Sequence, residues 1–164
     1  MICTAAFLKK ALMKQQVLTE EEIDTSIDIT VFAFLPERYI SEASQRIDIY
    51  KKIALIETDE DKMEIEDEMI DRYGDIPRAA QNVIRVGLIK SRAKKAGITD
   101  IIQNGEIVTV KFAKADIAIL IGLAKSEPAK YKLVPGDVPC IRMKFAAKNG
   151  VLSEIEGMLM NFEK

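Results

Sequence analysis

The side chains best placed to do chemistry are charged ones near the end of one helical segment, Glu68, Asp71 and Arg72, and a row of arginines after it, Arg78, Arg85 and Arg92. Two carboxylates and a guanidinium so close together can make charge-assisted, partly bidentate contacts with a protein partner's Arg and its Asp or Glu. They can equally stand as a solvated helix face. The three arginines are spaced by seven, so on a helix they share one stripe. Such a stripe could follow phosphates. Yet the nearest aromatic able to stack a base is Tyr73, off the stripe, and pairing with acids or facing water is the simpler use.

Catalytic constellations are missing. The chain has no histidine, which removes His-based metal sites, Ser-His and Cys-His triads and the usual general base near neutral pH. No Gly-x-x-x-x-Gly-Lys segment offers backbone amides and a lysine to phosphates, no Gly-x-Gly-x-x-Gly follows a strand, and no Gly-x-Ser-x-Gly elbow occurs. Cys3 and Cys140 form no metal or redox spacing. The expectation is a binding module that is no enzyme and takes no cofactor or metal; catalysis by carboxylates alone is the enzymatic reading left open. Two isolated cysteines fit a reducing cytosol, so a cytoplasmic location is expected. No apolar run approaches the ~20 residues of a membrane span. The apolar start, Ile2 to Leu8, is followed by Lys9 and Lys10, the wrong order for a secretory signal.

Net charge is −2, so no global field drives the chain onto nucleic acid or anionic membrane. Locally, nine acids face only Lys62 between Glu57 and Asp71, and six bases with no acid follow between Ile76 and Thr99. Two neighbouring helices of opposite charge are expected to attract each other.

The elements that must position these groups follow from periodicity. Residues 4–16 read as a helix, with Leu8, Ala11 and Leu12 on one side, and an acidic connector covers 20–24. Alternation predicts a strand over 27–34, stopped by Pro36. Ser41 can cap a helix to about Ile56 with Ile47, Tyr50, Ile53 and Ala54 inward. Thr58 caps an acidic helix over 59–73 that Gly74 ends, with Met63, Ile65, Met69, Ile70 and Tyr73 on its apolar side and Glu64, Asp67, Glu68, Asp71 and Arg72 outward. Pro77 suits the first turn of a helix running to about Ala96, apolar over so much of its girth that it belongs at the centre of the core. The period then changes to two. Strands at 98–102 and 106–112 flank Gln103-Asn104-Gly105, a hairpin signal. A helix near 115–125, strands at 131–134 and 140–145 and a last helix after Gly150 complete the order α-β-α-α-α-β-β-α-β-β-α. Without βαβ alternation this is α+β, helices grouped on one side of a small, mainly antiparallel sheet. Residues 1–26 read as a helix and connector, and 27–164 as the domain proper.

Three segments carry a resemblance. Ile27-Asp28-Ile29-Thr30 with Phe34-Leu35-Pro36-Glu37-Arg38-Tyr39-Ile40, then Gln45 to Ala54, then Glu68-x-x-Asp71-Arg72-Tyr73-Gly74-x-x-Pro77, occur in an order that resembles the C-terminal domain of the bacterial transcription-repair coupling factor (Mfd) family; Ala93-x-x-Ala96-Gly97-Ile98 extends it. The likeness covers about 27–102. Residues 1–16 faintly resemble the end of the motor region that precedes this domain in the family. The resemblance implies a regulatory domain without catalytic activity, from a longer ATP-driven DNA translocase that displaces stalled RNA polymerase and recruits UvrA for nucleotide excision repair. In the family this domain docks on a UvrB-like module of the same polypeptide, masks the UvrA-binding surface and restrains the motor. RNA polymerase and DNA are engaged by other domains. Carried over by position, the docking residues are Glu68, Asp71 and Arg72. The aromatic at Tyr73, often Phe in the family, is implied to be a core anchor. The alternative is a nucleic-acid-binding domain using Arg78, Arg85 and Arg92.

Overall fold

A computed structural model describes residues 23–146 and 150–163. The helix expected at 4–16 and most of the acidic connector lie outside the described residues. The elements are β1 (Ser26–Asp28), α1 (Ala43–Ala54), α2 (Asp59–Tyr73), α3 (Arg78–Lys95), β2 (Ile98–Asn104), β3 (Ile107–Phe112), α4 (Ile117–Ser126), β4 (Tyr131–Val134), β5 (Cys140–Lys144) and α5 (Val151–Leu159), with a 3-10 turn over Met160–Phe162. The architecture is α+β, as expected from the change of period.

The strands form one sheet in the order β1-β2-β3-β5-β4. Only β1 and β2 run parallel; the other three pairings are antiparallel. Alternation along β3 and β5 buries Val108, Val110, Phe112, Ile141 and Met143 on one face. Against them pack the second half of α3 through Ile89 and Ala93, α4 through Leu120 and Leu123, and α5 through Ile155 and Met158. A second core lies among α1, α2, the loop at 35–40 and the first half of α3, built on Ile40, Ile49, Ile65, Met69, Ala80, Ile84 and Leu88. Helix α3 therefore serves both cores, which is why its apolar stripe is so wide.

Local signals explain most boundaries. Thr58 and Asp61 make a reciprocal capping box: Asp61 N–H donates to Thr58 Oγ1 at 3.1 Å, and Thr58 N–H donates to Asp61 Oδ2 at 3.0 Å. The backbone N–H groups of Glu57 and Thr58 hold the Asp61 carboxyl below its ordinary range. A lowered carboxyl stabilises the fold above its unfolded pKa and loses that contribution as pH falls through the folded one. Thr58→Ala is expected to cost about 1 kcal/mol, read as a lower urea midpoint at unchanged slope. Asp116 caps α4 by accepting from Ala118 N–H at 3.0 Å.

Three expectations are corrected. The strand at 27–34 is only three residues long, because the chain leaves the sheet after Asp28 to run beside α3. There Phe34 N–H donates to Ala79 O at 3.2 Å and Asn82 Nδ2 to Phe32 O at 3.0 Å. On α1, Ile49 and Ile53 are buried, whereas Ile47, Tyr50 and Ala54 are exposed. Arg46 takes inward space that a purely apolar wheel would assign elsewhere, donating to the carbonyls of Ile40 and Ser41 at 2.7 and 2.9 Å. On α2, Ile65 and Met69 are buried but Met63 and Ile70 face solvent, 60% and 49% exposed. This peripheral helix needs only a narrow stripe, and its wheel is turned accordingly.

Gly97, just past α3, has φ 78°, the left-handed region that favours glycine. A Cβ there would run into the backbone carbonyl of Lys114. Its own carbonyl accepts from Ala113 N–H at 2.8 Å. The close approach seats the end of β3 against the start of β2.

Candidate protein-interaction site

The C-terminal end of α2 is fixed from beneath by two tyrosines. Tyr73, half-buried, meets Tyr39 edge-on with ring centroids 5.8 Å apart, and its hydroxyl donates to Gln45 Oε1 at 3.2 Å. The Tyr39 hydroxyl shares its proton between the carbonyls of Met69 and Gly74, at 3.2 and 3.0 Å, and so ties the last turn of α2 and its C-cap to the loop at 35–40. Burial, and then the neighbouring Tyr73 and Asp75, push the Tyr39 hydroxyl pKa up. The loop at 35–40, α1 and α2 are thus tied at one corner.

On that platform stand Glu68, Asp71 and Arg72. Lys52 Nζ, from the last turn of α1, donates to both Glu68 oxygens at 2.6 Å, and Arg72 Nη1 donates to Glu68 Oε1 at 2.8 Å. The Lys52 ammonium, and after it Arg72, hold the Glu68 carboxyl below the ordinary range. The Arg72 guanidinium also lies 4.9 Å from the Tyr73 ring centroid. Asp71 is exposed and pairs with no described residue. Beside it on the outer side of α2 are Asp67 and Ile70, with Met63 exposed about two turns nearer the start of the helix.

The corner therefore presents a preorganised carboxylate with two cations, one unpaired carboxylate and one apolar side chain, Ile70. This can engage a partner surface bearing an arginine, an acid and an apolar contact. Sequence reasoning missed Lys52, sixteen residues from Glu68, for no local pattern links them. It also missed Ile70 and Met63, because their residue types pointed inward.

The arginine stripe is arranged differently. Arg85 forks onto Glu156, Nε to Oε1 at 2.9 Å and Nη2 to Oε2 at 2.8 Å, and Nη2 reaches Ser153 Oγ at 3.0 Å. The Glu156 carboxylate raises its pKa. Arg92, 16% exposed, is clamped between Asp59 and Glu163, both at 2.7 Å. Arg78 alone of the three is exposed. The opposed charge blocks do meet, through Arg92 with Asp59 and through Lys95 Nζ donating to Glu57 O at 2.8 Å. Among the described residues no His, Cys, Asp and Glu group could hold a metal ion, and no helix is long and apolar enough to cross a membrane.

Comparison with known proteins places this chain in a family. The TRCF domain family matches residues 29–119. The transcription-repair-coupling factor of Bacillus subtilis (strain 168) is 32% identical over 117 residues, 70% of this chain and 10% of that protein. The Escherichia coli (strain K12) protein of the same name is 32% identical over 124 residues, 74% of this chain and 10% of that protein. The chain thus spans about a tenth of the length of these curated relatives. A crystal structure of the C-terminal domain of transcription-repair coupling factor shares the fold, with a TM-score of 0.72 and 23% identity, covering 84% of this chain and 89% of that one.

Proposed function

The chain belongs to the TRCF domain family, and from that premise we propose that it is a regulatory and interaction domain, without catalytic activity, of a transcription-coupled DNA repair factor. The end of α2 carrying Glu68, Asp71 and Arg72 docks on a UvrB-like module of the same polypeptide. Docking masks the surface that binds UvrA and restrains the motor. RNA polymerase and DNA are met by other parts of the parent protein, in the cytoplasm.

One observation supports this most. A charged helix end is held rigid by Tyr39 and Tyr73 while Asp71 keeps its carboxylate unpaired among the described residues. A purely solvated face has no need of such a platform. The nucleic-acid reading is weaker, because Arg85 and Arg92 spend their donors on Glu156, Asp59 and Glu163.

Calorimetric titration of residues 1–164 into a purified UvrB-like module, at physiological salt, tests the reading. Saturable binding that weakens at least tenfold with Asp71→Ala, about 1.4 kcal/mol, is expected. No heat of binding at concentrations up to roughly 1 mM, with both proteins folded, would overturn it.

A further inference from the structure

The helices cover one face of the sheet, and the described residues leave the other face open. Strand register places four bases there. Arg142 stands between Thr109 of β3 and Lys132 of β4 on one rung; Lys144 is paired with Ile107 on the next; Lys111 is paired with Cys140 on the rung before. All four bases are exposed, and none makes an ion pair with a described residue. No carboxylate occupies an open-face ladder position on β3, β5 or β4; on neighbouring β2, Asp100 is the cross-strand partner of Lys111, and Asp28 lies one strand further, on β1. Apolar groups are interleaved with the bases: Ile107 is 42% exposed, and Val134 and Ile102 are half-buried.

We propose that this open face is a second docking surface and that its occupant is an acidic amphipathic helix of a partner protein. Charge selects an anionic occupant. Three strands spaced about 4.8 Å apart make a bed roughly 10 Å wide, the diameter of one helix. Same-face rungs lie about 6.8 Å apart along the strands, close to the ~6 Å rise between helical positions i and i+4. A row of i, i+4 carboxylates can therefore meet Lys144, Arg142 and Lys111 in turn, while an adjoining apolar row covers Ile107. A nucleic-acid backbone fits less well. Phosphate-driven affinity grows with the number of phosphates neutralised, the face offers four bases, and no aromatic is interleaved to stack bases. The surface also differs in sign from the acidic outer side of α2, so the two recognise different partners.

Nuclear magnetic resonance titration of 15N-labelled 1–164 tests this with three probes. One is a synthetic helix of about 18 residues, five turns, bearing a Glu row and a Leu row; the second has its Leu row changed to Ser; the third is an oligothymidylate of about 20 nucleotides. The Glu/Leu helix is expected to shift the amides of Thr109, Lys111 and Arg142 saturably at low salt. Affinity should fall at least tenfold with K111E/R142E/K144E and by a smaller factor with R142Q/K144Q, the melting temperature being unchanged. Three results would overturn the proposal: no shifts with the Glu/Leu helix, shifts insensitive to both variants, or equal binding of the Leu and Ser versions. Tighter binding of the oligothymidylate than of the Glu/Leu helix would sink it in favour of a phosphate surface.

Discussion

Alanine at Glu68, Asp71 and Arg72 together is expected to leave the isolated domain folded and to release it within the full-length parent protein. The two halves of that expectation rest on different energetics. In the free domain the three side chains are exposed or only partly covered, and Lys52, which pairs with Glu68, keeps nearly half its side-chain surface in water. Exposed pairs contribute typically ~0–1 kcal/mol to stability. The melting temperature should therefore move by only a few degrees, roughly 2–4 °C per kcal/mol at this size. Across a docked interface the same groups lose water. Truncating one side of a desolvated charge pair costs about 2–5 kcal/mol, which is roughly thirtyfold to several thousandfold in an equilibrium. The released protein should bind UvrA more tightly and show a higher basal ATPase rate. The check is UvrA binding by wild-type and triple-variant full-length protein side by side. Equal binding, with the variant folded, removes these residues from the docking surface.

Gly97→Ala is expected to be the most damaging small substitution in the chain. Its φ of 78° already disfavours any Cβ, and the added methyl would strike the Lys114 carbonyl, a backbone atom that cannot rotate away. The hydrogen bond from Ala113 to Gly97 holds the two segments together, so relief requires breaking the start of β2 from the end of β3. A loss of about 3 kcal/mol or more is expected, or roughly 10 °C in melting temperature. Gly105 supplies the control: its φ is 61°, but nothing lies within 4 Å of a built Cβ. Gly105→Ala should cost only about 1 kcal/mol, the conformational part alone. Chemical denaturation of both variants separates the effects; equal losses would mean that the close approach at Lys114 contributes nothing.

Much of this architecture was legible in the sequence because local and tertiary demands agree. The acidic helix announces both ends through Thr58 and Gly74, and the breadth of the apolar stripe on α3 forecast a helix central to the core. The hairpin of β2 and β3 was found, although its strands run closer together, leaving only Gly105 and Glu106 between them. What escaped was set at long range. Nothing in Ile27 to Phe34 says that the strand will yield its place to contacts with α3 after three residues. The outward turn of Ile70 and Met63 is decided by where α1 and α3 leave room. At the candidate site, Glu68, Asp71 and Arg72 were named from sequence, but Lys52 and the tyrosine platform needed the fold.

The sharing of α3 between two cores has a consequence for how the domain opens. Five buried side chains, Ala80, Ile84, Leu88, Ile89 and Ala93, root that helix in both layers, so neither layer can unravel while it holds. Helix α2 has only Ile65 and Met69 fully inside. With fewer anchors than α3, its amides are expected to exchange through smaller openings than those of α3. The proposed docking end thus keeps its local brace of Tyr39 and Tyr73 on a helix with fewer buried anchors than α3, so an opening that loosens α2 can leave the sheet in register.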